Sequence, residues 1–207
     1  MAGLITPDEL GITLPHEHLL CDTSPWATIS DEATKRRLFE SPVSISILGQ
    51  LRRDPYACKD NLKLLDIDLA IRELLHFRQA GGKSLVELTL EGIGRDPTAL
   101  RRISLETGVN IIAGCGFYID SSHPPLIRSM NVEQIAEEIT KDITLGIGGS
   151  GIKAGIIGEI GTGWPITPNE ENVLRAAAKA HHQTGAAINV HPFPYGEFSH
   201  PCSPHPS

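Results

Sequence analysis

The sequence predicts an α/β fold: an incomplete (β/α)8 TIM-type barrel, with about five of the eight βα units present. Three observations predict it. Short apolar runs alternate with longer stretches of helical periodicity, the pattern of parallel βαβ units with right-handed crossovers. No Gly-x-Gly-x-x-Gly or phosphate loop follows the first strand, which counts against a nucleotide-binding open sheet. His16, His18, Glu159 and His191 all fall at or near the carboxyl ends of strands, where barrels keep their chemistry.

The elements follow in order. Residues 1–10 read as a lead-in to a first strand, about Gly11 to Pro15, which delivers His16 and His18 at its carboxyl end. Residues i and i+2 of an extended strand point to the same side, so both imidazoles can face one point. The long irregular stretch of about 19–60 carries Trp26, the basic cluster Lys35-Arg36-Arg37 and Asp54-Pro55. Loops of that length in compact domains are functional or disordered, and this one reads as a lid or insertion above a site. Its basic cluster reads as a solvated helix face rather than an anion site.

From about Asn61 to Ala80, Leu62, Leu65, Leu69, Leu74 and Phe77 recur near helical spacing, and Gly81-Gly82 supplies a stop. Lys83 to Thr89 is the second strand. Asp96 is a helix cap with Pro97 at the first helical position and Gly108 past the end. Val109 to Gly114 is a strand buried on both faces. Asn131 opens a helix that ends near Gly146. Ala154 to Ile160 is a further buried strand, carrying one acid. Thr167-Pro168-Asn169-Glu170 is a capping box, and its helix runs to about Thr184 before Gly185. Ala186 to Val190 is the fifth strand and ends in His191.

Composition narrows the function classes. A net charge of −7 argues against nucleic-acid and anionic-membrane partners, which favour basic patches. No apolar run approaches the roughly 20 residues of a membrane span. The amino terminus lacks the basic and apolar regions of a signal peptide. Cys21, Cys58, Cys115 and Cys202 show neither paired spacing nor a zinc-ribbon pattern, so a reducing, cytoplasmic setting is expected.

Each candidate site residue has a plainer alternative. Glu159, inside Ile156-Ile157-Gly158-Glu159-Ile160, is costly to bury unless paired or metal-bound, and Lys153 offers an ion pair. Glu87 is a weaker case of the same kind. His191 could donate to a backbone carbonyl, and His16-x-His18 could be a solvated turn. Together, three histidines and a carboxylate on three strand ends would converge on one axial cavity and chelate a divalent metal. Arg95 and Tyr118 lie just beyond strands two and three and could touch substrate. His123 and His181-His182 read as loop and helix-surface residues.

The motif His16-Glu17-His18 after Gly-Ile-Thr-Leu-Pro resembles the first-strand motif of the amidohydrolase superfamily. Gly92-Ile-Gly-Arg-Asp96, the segment 151–161 and Ile188-Asn-Val-His191-Pro192 narrow the resemblance to its phosphotriesterase branch, over about residues 3–192. Glu159 stands where bacterial phosphotriesterases place a carbamylated lysine, and a glutamate there marks the phosphotriesterase-related proteins of animals. The resemblance implies that His16 and His18 hold one metal, that Glu159 bridges, and that His191 holds the second, zinc suiting such ligands. It implies a metal-activated hydroxide attacking an amide or ester of a small molecule, with N-acetyltaurine as the candidate substrate.

The family also implies a histidine on a sixth strand and an aspartate on an eighth. After His191 the chain runs through five prolines in sixteen residues, which forbid another βα unit. The expectation is a C-terminally truncated barrel over 1–191 with a disordered Pro/Ser/His-rich tail over 192–207, in which His200 and His205 are tail residues. Such a half-barrel is expected to be marginally stable or aggregation-prone, to self-associate through its open edges, and to bind metal weakly. The rival expectation is a non-enzymatic binder or partner of a full-length protein. A metal-dependent nuclease also begins with His-x-His, but the acidic charge weighs against it.

Overall fold

The computed structural model describes residues 3–193. Five parallel strands lie side by side in chain order: β1 (Ile12–Glu17), β2 (Gly82–Glu87), β3 (Asn110–Cys115), β4 (Ile156–Gly161) and β5 (Ile188–His191). Four helices separate them, α1 (Ile67–Gln79), α2 (Pro97–Thr107), α3 (Val132–Thr144) and α4 (Pro168–Thr184), the first after a long excursion. The sheet curls as a half-barrel with the helices outside, as predicted. The reading of a disordered tail lies outside the described residues, apart from Pro192 and Phe193.

Local chemistry sets the helix starts. Asp96 accepts a hydrogen bond from the Ala99 amide at 2.9 Å, Pro97 sits in the first turn, and Gly108 ends α2 in the left-handed region. Asn131 with Gln134 and Thr167 with Glu170 form reciprocal capping boxes that open α3 and α4. The predicted start of α1 needs correction. Asp66 caps it by accepting from the Leu69 amide, so Leu62 and Leu65 precede the helix. Leu62 is buried in the lid and Leu65 is exposed; their spacing imitated a helical stripe.

Two apolar layers glue helices to sheet. Ala70, Leu74, Leu100 and Ile103 pack on Leu85 and Ile111. Ile135, Ile139, Val173, Ala176 and Ala180 pack on Cys115, Ile157 and Ile160. The alanines of α4 let it approach α3 closely, and Lys179 bridges to Glu133 across the seam.

Two bulges shape the upper rim. Between Leu14 and Glu17, three steps of β1 face two of β2, at Pro15, which has no N–H to give the ladder. Between Ile157 and Ile160, three steps of β4 face two of β5, around Gly158 and Glu159. Gly158 has φ 124°, and a Cβ there would collide with the Asn189 carbonyl oxygen of β5. Bulges of this kind bend a strand and re-aim the side chains beside them.

The excursion between β1 and α1 is ordered. Cys21–Asp22 pairs antiparallel with Lys63–Leu64, closing its two ends together. Phe39, Leu51, Cys58 and Leu62 form its buried interior. Helix Ala33–Phe39 carries Lys35 and Arg36 on its exposed side, paired with Glu32 and Asp31, the solvated face that was expected. At the opposite end of the sheet the amino-terminal segment crosses the floor, where its Leu10 and Glu9 carbonyls accept from Ser84 and Asn110.

Candidate metal centre

Four side chains meet at the carboxyl ends of three strands. Glu159, beside the β4 bulge, is the centre: its side chain is 3 % exposed. Its Oε2 lies 2.9 Å from His16 Nε2 and 2.6 Å from His191 Nδ1, and its Oε1 lies 3.4 Å from His18 Nε2. The imidazoles are partly open, with side-chain exposures of 36 % for His16, 30 % for His18 and 41 % for His191. His16 is ringed by the other two, with centroids 5.5 Å from His18 and 5.9 Å from His191. The i, i+2 expectation for His16 and His18 holds, since both turn toward one carboxylate.

The plainer alternatives for these residues do not match the geometry. Lys153 is exposed, and none of the ion pairs found among the described residues joins it to Glu159. The carboxylate's partners there are three imidazoles from β1 and β5. A nearly buried carboxylate is stable only beside positive charge or hydrogen-bond donors, and these imidazoles can donate to Glu159 or share it with a cation. Ligand atoms of His16, Glu159 and His191 lie within 4.8 Å of one another. His18 stands outside that set, although its Nε2 is 3.4 Å from the Glu159 Oε1. Burial holds the His18 imidazole below its usual range against the opposing pull of Glu159, which favours the neutral, lone-pair-bearing form.

Behind His18 lies a buried polar chain. Its Nδ1 is 2.9 Å from the Thr89 hydroxyl, and that hydroxyl is 2.6 Å from Glu87 Oε1. The backbone amides of Leu19 and Thr89 also donate to the Glu87 carboxyl. Burial pushes Glu87 up to about 7, with those hydrogen bonds pulling the other way. Glu87 was a weak candidate in the sequence. Thr89 went unnoticed, because nothing along the chain marks a threonine as facing His18.

An aromatic wall stands beside His191. Tyr118 meets its ring edge-on at 5.3 Å and stacks on Trp26 of the lid at 5.1 Å. Burial, and then the Glu159 charge, push the Tyr118 phenol above its ordinary value. A cleft of about 1050 Å³ opens in the lid on the Trp26 side of this wall, lined among others by Trp26, Lys35, Arg53, Asp54, Tyr56 and Ile119 but by none of the four candidate ligands. Arg95, a possible substrate contact by sequence, is instead nearly buried, holding Asp142 at 3.1 Å and the Gly114 carbonyl at 3.3 Å. His123 lies in a loop, as read, but is buried. Its Nε2 is 2.8 Å from the Tyr118 carbonyl oxygen, so it braces the wall from behind.

Residues 1–197 match the model of the phosphotriesterase family. The chain is 45 % identical over 196 residues to a protein of Tetraodon nigroviridis named N-acetyltaurine hydrolase, covering 92 % of this chain and 54 % of that protein. The human protein of the same name is 41 % identical over 191 residues, with the same coverage. A phosphotriesterase-related protein of Nematostella vectensis is 38 % identical, with 93 % of this chain and 56 % of that one covered. The chain thus spans about half the length of the curated relatives it matches. Among solved structures, a resiniferatoxin-binding protein from Rhodobacter sphaeroides superposes with TM-score 0.88 at 44 % identity, covering 92 % of this chain and 53 % of its own. The phosphotriesterase homology protein from Escherichia coli, complexed with phosphate in its active site, gives TM-score 0.70 at 31 % identity, covering 90 % and 54 %.

Proposed function

This chain belongs to the phosphotriesterase family, and we propose that its strand-end cluster binds a divalent metal pair and serves hydrolysis of a small acylated amino compound. The observation that carries the reading is Glu159, buried and shared among imidazoles from both edges of the half-barrel. The donors fit a borderline ion such as zinc, which imidazole nitrogen and carboxylate oxygen suit. His16, His18 and Glu159 would hold one ion, and Glu159 with His191 the second. A bound ion of this kind polarises the scissile carbonyl and lowers the pKa of water.

The chain's own residues supply position and shelter. Trp26 and Tyr118 wall the site on the lid side, with Tyr118 edge-on to the partly open His191 ring. The proposed substrate is a small acylated amino compound with an anionic end; the lid cleft nearby carries mixed charge, with Lys35 paired to Glu32 and Arg53 next to Asp54. N-acetyltaurine, the substrate in the names of the vertebrate relatives, has that form. A reducing, cytoplasmic setting is part of the same proposal, with Cys21, Cys58 and Cys115 as free thiols.

The test is metal content per chain in the soluble monomer after growth with zinc, followed by release of taurine from N-acetyltaurine. About two equivalents and steady turnover are expected of a working centre. Bound metal without turnover would favour the second reading, a partner of a longer family member. That reading rests on the sheet edges, where Ile12, Ile188 and Val190 present apolar surface on strands that, among the described residues, have a neighbour on one side only. A concentration-dependent dimer by sedimentation, or capture by the longer relative, would support it.

A further inference from the structure

A metal-ligating imidazole works only if the nitrogen facing the ion carries a lone pair, and its other nitrogen's hydrogen bond decides that. For His18 the other nitrogen is Nδ1, 2.9 Å from Thr89 Oγ1. A threonine hydroxyl has one proton to give and lone pairs to receive with. Three donors converge on the Glu87 carboxyl: the Leu19 amide on Oε1, the Thr89 amide on Oε2, and the Thr89 hydroxyl on Oε1 at 2.6 Å. With Glu87 ionised and the hydroxyl's proton spent on it, the hydroxyl can only accept from His18, which places the imidazole proton on Nδ1. Nε2 is left bare, facing Glu159.

We infer that Thr89 is a positioning residue for His18, with Glu87 as its anchor, fixing the imidazole as the Nδ1–H tautomer so that its Nε2 lone pair points into the metal site. Thr89 and Glu87 are both fully buried, so water does not compete for these hydrogen bonds. The chain also ties the lid to the second strand, because the Leu19 amide that Glu87 holds follows His18 directly. The inference rests on the metal reading above for its purpose and on the hydrogen bonds alone for its geometry.

The experiment reads the two apart. Long-range nitrogen–proton correlation spectra of the metal-free chain, at about pH 8 where imidazoles are neutral, report the tautomer of His18. The Nδ1–H form is expected in the natural chain, lost in Thr89→Val and regained in Thr89→Ser. Zinc affinity, by competition with a chromogenic chelator, should fall about 10- to 100-fold in Thr89→Val and recover in Thr89→Ser. An Nε2–H form in the natural chain, or a tautomer and affinity that Thr89→Val leaves unchanged, would overturn the inference. If Thr89→Val does not fold, the natural chain and Thr89→Ser still decide it, since both must show the Nδ1–H form. The expected tautomer without zinc binding would sink the metal reading and leave the positioning intact.

Discussion

The middle of the sheet and its two edges are built from different materials. β2, β3 and β4 are almost wholly buried, with residues such as Leu85, Ile111 and Ile157 closed off by helices. β1 and β5 contain no fully buried residue. Yet the edges bring all three imidazoles, and the centre brings the single acid. The curl of the sheet carries two strand ends, far apart in strand order, to within reach of one carboxylate. Stability and chemistry are thus held by different strands, and the site is where they are tied together.

Four outcomes would break or sharpen that contrast. The largest effect is expected at the centre. Ile157→Ala opens a cavity in a side chain with no exposure, and should cost about 4 kcal/mol in urea unfolding. A loss below about 1 kcal/mol would mean the centre is loosely packed.

The centre also hides an acid at a cost. Glu87 titrates near 7 when folded and at its ordinary 4.5 when unfolded. The folded chain therefore keeps a proton the unfolded chain has released, so stability falls as pH rises between those values and levels off above them. The loss should be on the order of 3 kcal/mol, and Glu87→Gln should remove it in paired unfolding curves at about pH 5 and about pH 8. Parallel pH profiles for the two chains would refute the assignment.

Metal should act on the edges. Ions shared by Glu159 with His16 and His18 on one side and with His191 on the other would join β1 and β5 to β4, and one bound at about 100 times its Kd should add about 2.7 kcal/mol. The check is a rise in Tm with zinc that a chelator reverses and that His191→Ala diminishes. The smallest effect is expected at Val190, 45 % exposed on β5, where Val190→Ala should cost less than about 1 kcal/mol. A cost matching Ile157→Ala would show that the edge is covered in solution, by a second copy or a partner.

Reading ahead from sequence worked where the determinant is local. The capping boxes at Asn131 and Thr167 and the Asp96-Pro97 start need only neighbours within one turn, so they were legible. His16, His18, Glu159 and His191 were legible because strand ends and buried acids carry chemistry by rule, and the structure does bring them together. The start of α1 was misplaced because two lid leucines fell in phase with the helix that follows. Thr89, the Trp26–Tyr118 stack and the burial of His123 depend on where distant segments meet. No pattern along the chain encodes such a meeting.

The Trp26–Tyr118 stack also gives the molecule a built-in optical reporter. The chain has two tryptophans, and Trp164 sits largely in solvent, so its emission should be nearly constant. Trp26 belongs to the lid and lies against the ring that touches His191. Any rearrangement of that corner changes the polarity around one indole. Lid position can therefore be followed in unlabelled protein, in real time, by the colour of its fluorescence.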